Sequence, residues 1–168
     1  MVKDNYMWSD GTKVTAEDLA FTAQVINDFQ LGGNWTYWVN GVDRIEVLDE
    51  LTAKIYYTSR PGLANHEYGV LQDVIAQKAY WEPKLAPAYD ALAPVEDLDP
   101  ESDEYAAAIA EAQQVIFSLE AAGEPVSGPF VFDQWEVGAF VENDRMGDYF
   151  FNGTLIELYD DGTYHEVK

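Results

Sequence analysis

The sequence predicts a mixed α+β chain in which β-hairpins pack with three helices. Helical stretches repeat apolar residues behind clear start signals. Short β-branched or aromatic runs flank turn residues. The composition is that of a globular chain: 48% of the 168 residues are hydrophobic, with 5 Trp, 11 Tyr and 8 Phe, an aromatic content that disordered chains lack. A chain of this length buries about two-thirds of its unfolded surface. It needs no disulfide staple, and it has no Cys.

Thr15-Ala16-Glu17-Asp18 reads as an N-cap followed by acids in the first helical turn, where they favour the helix dipole. Leu19, Ala23, Ile26 and Phe29 share a face, and Gly32-Gly33 is expected to end this helix. Val42 to Leu48 and Ala53 to Thr58, joined by Asp49-Glu50-Leu51-Thr52, predict a hairpin that Arg60-Pro61-Gly62 breaks. Glu67 to Trp81 predicts a second helix, with Val70 and Val74 on its apolar side. Prolines at 83, 87, 94 and 100 predict an irregular acidic loop over 82–100. The third helix is placed behind Asp99 as N-cap and Pro100 in the first turn, with Tyr105, Ile109, Ala112, Ile116 and Leu119 as its stripe. Gly123 and Pro125 close it. Beyond them the texture is β: Phe130 to Trp135, a turn at Glu136-Val137-Gly138, then Ala139 to Asn143. Leu155 to Tyr159 and Thr163 to Val167 flank Asp160-Asp161-Gly162, a hairpin signal. There is no internal repeat.

Nine Lys and Arg stand against 31 Asp and Glu, a net charge of −22. Such a surface repels nucleic acid, whose binders draw affinity from cations on phosphates. It also disfavours anionic lipid. No run of about 18 apolar residues spans a membrane, and no basic segment followed by an apolar stretch reads as a signal peptide. The excess acid keeps the surface solvated and points to a salt-loving source, where ions screen self-repulsion.

No catalytic constellation stands out. Carboxylate pairs that could serve a glycosidase arise by chance among so many acids. Asp97-x-Asp99-x-Glu101-x-Asp103 resembles the start of a calcium loop but has Ser102 and Ala108 where Gly and Glu belong, so helix capping is the simpler reading. His66 and His165 lie in different regions and read as surface residues. Asn34-Trp35-Thr36 and Asn152-Gly153-Thr154 are sequons, which arise often by chance. The informative cluster is Trp35, Tyr37 and Trp38 beside Asn34 in a Gly-flanked loop. Such aromatics stack on a ligand, or else plug into the chain's own core.

Three segments, in order, carry a family resemblance. Trp8-Ser9-Asp10-Gly11-Thr12-Lys13-Val14-Thr15-Ala16-Glu17-Asp18-Leu19-Ala20-Phe21-Thr22 resembles the "W-x-D-G-x-x-V-T-A-E-D-V-x-F-S" segment of family 5 extracellular solute-binding proteins. These are the peptide-, nickel- and oligosaccharide-binding receptors of ABC importers. The Val42 to Thr58 hairpin is similar to a second family segment. Pro125-Val126-Ser127-Gly128-Pro129-Phe130 through Trp135-Glu136-x-Gly138 resembles a third, and Asn143 through Phe150 echoes the family's "R-N-x-x-Y-F". Departures are Ser127-Gly128-Pro129-Phe130 in place of "T-G-P-Y", and Ile75-Ala76-Gln77-Lys78 without the family's proline. The resemblance implies a fragment of a type II periplasmic-binding-protein lobe. Residues 1–124 would form an accessory subdomain of lobe I with an acidic Pro-rich insert at 82–122. Residues 125–168 would belong to that lobe's base sheet. Signal or lipoprotein segment and second lobe would be missing.

The same resemblance implies a non-enzymatic receptor outside the cytoplasmic membrane, lipoprotein-anchored in its full-length parent, with no cofactor. It would pass a peptide-like or oligosaccharide solute to a membrane permease. Asn34, Trp35, Tyr37 and Trp38 match the loop that approaches the ligand in family members, and Gly128 and Pro129 match a turn near the inter-lobe region. Rival readings are a stand-alone carbohydrate-binding module with Trp35 and Trp38 as platform, a glycoside hydrolase fragment, and a structural surface domain. Apolar surface exposed by excision would also favour a homodimer.

The charge excess yields a first prediction. Screening shrinks from a range of about 10 Å at 0.1 M salt to about 3 Å at 1 M, so the melting temperature rises over that interval. A flat or falling curve in NaCl refutes the link between the acid excess and salt.

Overall fold

A computed structural model describes residues 1–33, 39–69, 74–147 and 149. The chain forms two compact units. One comprises Met1 and Thr15–Glu124, and the other joins Val2–Val14 to the residues from Pro125 onward.

In the larger unit, α1 (Ala16–Asp28) is followed by a hairpin of β1 (Val42–Asp49) and β2 (Thr52–Tyr57). Then come the short α2 (Leu63–Tyr68), α3 (Lys78–Leu92), a 3-10 turn (Ala93–Val95) and α4 (Asp103–Ser118). β1 and β2 pair antiparallel with Ile45 opposite Ile55 and Glu46 opposite Lys54. Alternation sends Ile45 and Ile55 to the core, which is built on Ala23, Ile26 and Phe29 at α1, Val42, Ala88 of α3 and Ala112 of α4. The other face carries Arg44, Glu46, Lys54 and Tyr56. Tyr56 donates to Glu46 Oε2 (2.6 Å) under Arg44, whose Cζ lies 3.8 Å from the ring centroid.

Asp18 organises the start of two helices. It is 5% exposed. Its Oδ2 accepts the Thr15 N–H (2.9 Å) and the Thr15 hydroxyl (3.1 Å), closing the start of α1. Its Oδ1 accepts the Lys78 N–H (2.9 Å), at the first residue of α3. Thr22, also buried, donates to the Asp18 carbonyl (2.7 Å) and accepts the Ala76 N–H (2.9 Å). The Ala16 N–H goes to the Glu50 carbonyl in the hairpin turn (2.8 Å). In that turn, the Leu51 N–H (3.0 Å to Oδ1) and the Thr52 side chain hold the Asp49 carboxyl below its usual range.

Three sequence expectations change. The helix expected over 67–81 does not form: α2 ends at Tyr68, and residues 74–77 run without regular structure into α3. The backbone N–H groups of Ala76 and Lys78 bond to α1 side chains, which fixes the helix start at Lys78 instead. The expected loop over 82–100 is largely helix, because α3 runs through Pro83 and Pro87. Those prolines are four residues apart, so they share one exposed face, and the carbonyls they leave unpaired, on Ala79 and Pro83, belong to exposed residues as well. The opposite face buries Leu85 and Ala88. Finally, α4 is capped by Ser102, whose Oγ accepts the Tyr105 N–H (3.2 Å), rather than by Asp99. Asp99 Oδ1 instead accepts the Glu101 N–H (2.9 Å) in the preceding turn.

In the smaller unit, Met7 bridges Lys13 around a tight turn. Gly11 sits at φ 85, and Asp10 Oδ1 accepts the Thr12 N–H (2.9 Å) and hydroxyl (2.7 Å). Trp8 and Val14 are buried. Ser9 pairs with Val126: its N–H donates to the Val126 carbonyl (2.8 Å), and its Oγ accepts the Val126 N–H (3.1 Å). β3 (Phe130–Glu136) and β4 (Phe140–Arg145) form the expected hairpin, with Gly138 at φ 81 in its turn and an irregularity between Phe132 and Gln134. The hairpin expected over 155–167 lies outside the described residues.

Replacing Asp18 by Ala orphans two part-buried backbone donors that start helices. The expected loss of stability is about 2–4 kcal/mol, from one lost cap and one lost charged hydrogen bond. Urea unfolding of the two proteins measures it. A change below about 0.5 kcal/mol, the scale of an ordinary surface substitution, would reduce Asp18 to that status.

Candidate functional site

Four of the six sequence-derived ligand residues, Asn34, Trp35, Tyr37 and Trp38, lie outside the described residues. The stems of their loop are described, and both are anchored. On the entry side α1 ends at Phe29, and Gln30 adopts φ 47. The Gln30 N–H bonds the Asn27 carbonyl (3.1 Å) and the Leu31 N–H bonds the Ile26 carbonyl (3.0 Å). This is a Schellman cap with glutamine in the position usually held by glycine. The helix therefore ends before Gly32-Gly33, where the sequence placed its end. Burial of Leu31 in the Ile26 cluster favours the earlier stop. Gln113 of α4 adds hydrogen bonds from Nε2 to the Phe29 carbonyl (2.8 Å) and the Gln30 carbonyl (3.2 Å). On the exit side Val39 is buried, and the Val42 N–H donates to its carbonyl (2.9 Å). The Thr58 N–H donates to the Gly41 carbonyl (2.9 Å), and Gly41 stands at φ 76, which suits glycine.

Gly128 and Pro129 belong to the other unit and form the bend into β3. Pro129 is exposed, and its carbonyl accepts the Met146 N–H (2.9 Å). A Cβ added at Gly128 would meet nothing within 4 Å, so no close backbone approach demands glycine there. Just before the bend, Tyr6 donates to Ser127 Oγ (3.3 Å).

The sequence reading missed one concave feature, an open groove of about 530 Å³ between α1 and α3. Ala20, Phe21, Val47 and Ala86 make its apolar floor, and Glu17, Gln24, Lys78, Glu82 and Asp90 line it with Tyr89. Lys78 bridges Glu17 (3.2 Å) and Glu82 (3.9 Å) at one end. At the other, Tyr89 and Gln24 both donate to Asp28 Oδ2, at 3.1 and 3.2 Å. Burial, then the Asp28 charge, push the Tyr89 phenol far above its ordinary value. The 82–100 stretch read as loop hides this groove, because half of its lining comes from α3.

His66 pairs with Tyr57, whose hydroxyl lies 2.8 Å from Nδ1. Burial raises the Tyr57 phenol. His165 and both sequon segments lie outside the described residues. Among the described residues no three His, Asp or Glu side chains are grouped to hold a metal, the Asp97–Asp103 run included. None of their helices is long and apolar enough to cross a membrane.

Residues 2–162 match the family model of bacterial extracellular solute-binding proteins, family 5 Middle. The chain belongs to that family. No curated protein matches the sequence. Solved structures share the fold. The periplasmic oligopeptide-binding protein of an oligopeptide ABC transporter from Thermotoga maritima, with bound mannohexaose, is 20% identical at TM-score 0.59, over 91% of this chain and 23% of that one. AppA of Bacillus subtilis in complex with a nonapeptide is 19% identical at TM-score 0.57, over 88% and 24%. The oligopeptide binding protein of Thermus thermophilus with a pentapeptide is 23% identical at TM-score 0.56, over 88% and 24%. This family 5 chain thus carries part of the type II periplasmic-binding-protein fold and spans about a quarter of the length of those structures. The family and its structural neighbours are solute-binding transport proteins rather than enzymes, and nothing in them favours a stand-alone carbohydrate module.

The glutamine cap gives a test of the loop stem. A non-glycine residue in the left-handed region costs about 1–2 kcal/mol, part of which glycine returns as unfolded-state entropy. Gln30→Gly therefore raises stability by about 0.5–1 kcal/mol in chemical denaturation. A destabilised Gln30→Gly protein would show that the Gln30 side chain, rather than its backbone, holds the stem.

Proposed function

We propose that this chain is part of the solute-binding component of an ABC importer. It works outside the membrane and takes a peptide-like or oligosaccharide solute for delivery to a permease. The family match over residues 2–162 carries this reading. The bound ligands of the neighbours, peptides in two and mannohexaose in a third, support the solute class. Capture works by closure of two lobes, with the solute preferring the closed state. Asn34, Trp35, Tyr37 and Trp38 stack on the solute and hydrogen-bond it, from a loop whose stems are held in the core at Leu31 and Val39. Gly128 and Pro129 line the inter-lobe side.

The mechanism sets how the chain behaves alone. One lobe offers half a cleft, so titration of the 168-residue chain with three- to nine-residue peptides and with mannohexaose gives weak binding or none, read by tryptophan fluorescence. Sub-micromolar affinity of the chain alone would overturn lobe closure. In the full-length gene product one of these probes binds tightly, and Trp35→Ala or Trp38→Ala weakens it at least about ten-fold, the scale of a stacking contact. The reading fails if the full-length product binds none of them, or turns them over.

A further inference from the structure

The β3–β4 hairpin is two-faced, and its asymmetry is independent of the solute-receptor reading. Phe132 pairs with Asn143, but Gln134 pairs with the adjacent Glu142. Asp133 is therefore an extra residue, a β-bulge that restarts the alternation. In an unbroken strand Trp135 would face away from Phe130 and Phe132. After the bulge the three rings share one face. Val141, Asn143 and Arg145 stand across from them on β4. Phe130, Phe132, Trp135 and Val141 are each more than half exposed. The other face holds Gln134, Glu136, Glu142 and Asp144 with Val131 and Phe140, and Gln134 Nε2 donates to Glu142 Oε2 (2.8 Å) across it. Asp133 opposes Glu142 together with Gln134, so its carboxylate joins that side. Among these residues the aromatic face carries one charge, the cation Arg145.

We infer that this face pairs two copies of the chain, sheet against sheet. Charge selects the place. Two chains of net charge −22 repel each other wherever their carboxylates meet. A face that offers three rings and a cation, with every acid turned away, is where a second copy can approach. The face also complements itself. A two-fold axis crossing the strands near Phe132 lays the two rows of rings over each other in opposite order, Phe132 on Phe132 and Phe130 on Trp135. The same axis carries Arg145 of each copy to the Trp135 end of the other, where guanidinium and indole attract. The area is sufficient for a weak pair. An aromatic side chain offers about 150–250 Å², more than half of it exposed here in each of three rings. With Val141 and the Arg145 stem, two copies bury on the order of 1,000 Å² in total, the lower bound for a specific interface.

The test is sedimentation equilibrium of the 168-residue chain from micromolar to millimolar concentration. The mass rises from that of one chain toward that of two. Raising NaCl from about 0.1 M to about 1 M tightens the pair, because screening removes the repulsion and leaves the apolar contact. Phe132→Lys weakens it at least about ten-fold, the scale of a residue at the centre of an interface. Phe117→Lys, the same change of charge at an exposed ring of α4, leaves it unaltered. The chain has no Cys, so a single introduced thiol reports the geometry. A bifunctional maleimide that spans two packed sheets, about 10 Å, joins copies of the Asn143→Cys variant but not of Gln134→Cys, which lies on the other face. Should Phe132→Lys fail to fold, the crosslinks decide by themselves. A mass of one chain at every concentration overturns the inference. Acrylamide quenching of Trp135, read against Trp135→Phe, then tells a face covered by the rest of the chain from a bare one. Equal weakening by Phe132→Lys and Phe117→Lys overturns it too, as do looser pairing at high salt and equal crosslinking from positions 134 and 143.

Discussion

The larger unit depends on one buried carboxylate. Asp18 takes the first N–H of α3 on one oxygen and closes the start of α1 with the other. A carboxylate buried without partners is costly. Here two helix N-termini, each the positive end of a dipole, supply both the hydrogen bonds and the favourable field. Their parallel course from one shared origin is the result. So is the groove between them, a slot along helices joined at their starts and lined by Phe21 of α1 and Tyr89 of α3. The hairpin attaches at the same place through Ala16 and Glu50, so three elements radiate from one corner.

Much of this was legible in the chain. Thr15 and Asp18 form a local signal that specifies a helix start wherever it falls, and α1 begins where they place it. The first hairpin follows alternation that sends Ile45 and Ile55 to the core, whereas the second, exposed along nearly its whole length, follows its β-branched and aromatic content and the glycine turn at Gly138. What local reading missed was set at a distance. α3 passes through two prolines because burial of Leu85 and Ala88 outweighs the lost backbone bonds, and because the orphaned carbonyls face water. No local rule reveals which face will be wet. Gln30 takes a glycine's conformation because Leu31 is buried and Gln113 arrives from more than eighty residues along the chain. Ser102 displaces Asp99 as a cap by a contest between two good candidates three residues apart.

The candidate ligand residues divide along the same line. The aromatic loop stood out by residue type, but residue type alone does not place a loop. Its stems are placed by the core: Leu31 and Val39 are buried in one cluster, which brings the loop's ends under the control of α1, α4 and the hairpin.

The pairing of Ser9 with Val126 carries a consequence for how the chain assembles. It joins positions 117 residues apart, and everything from Thr15 to Glu124 is topologically an excursion from the smaller unit. Closing so long a loop in an unfolded chain is entropically unfavourable, but the penalty shrinks once the intervening segment is compact. Forming the excursion before the Ser9–Val126 clasp avoids most of that penalty. An element inserted in this way can lengthen or shorten over evolutionary time without disturbing the clasp, as surface insertions generally can. That freedom gives one scaffold room to vary the parts between Thr15 and Glu124 while the strands around the clasp stay in register.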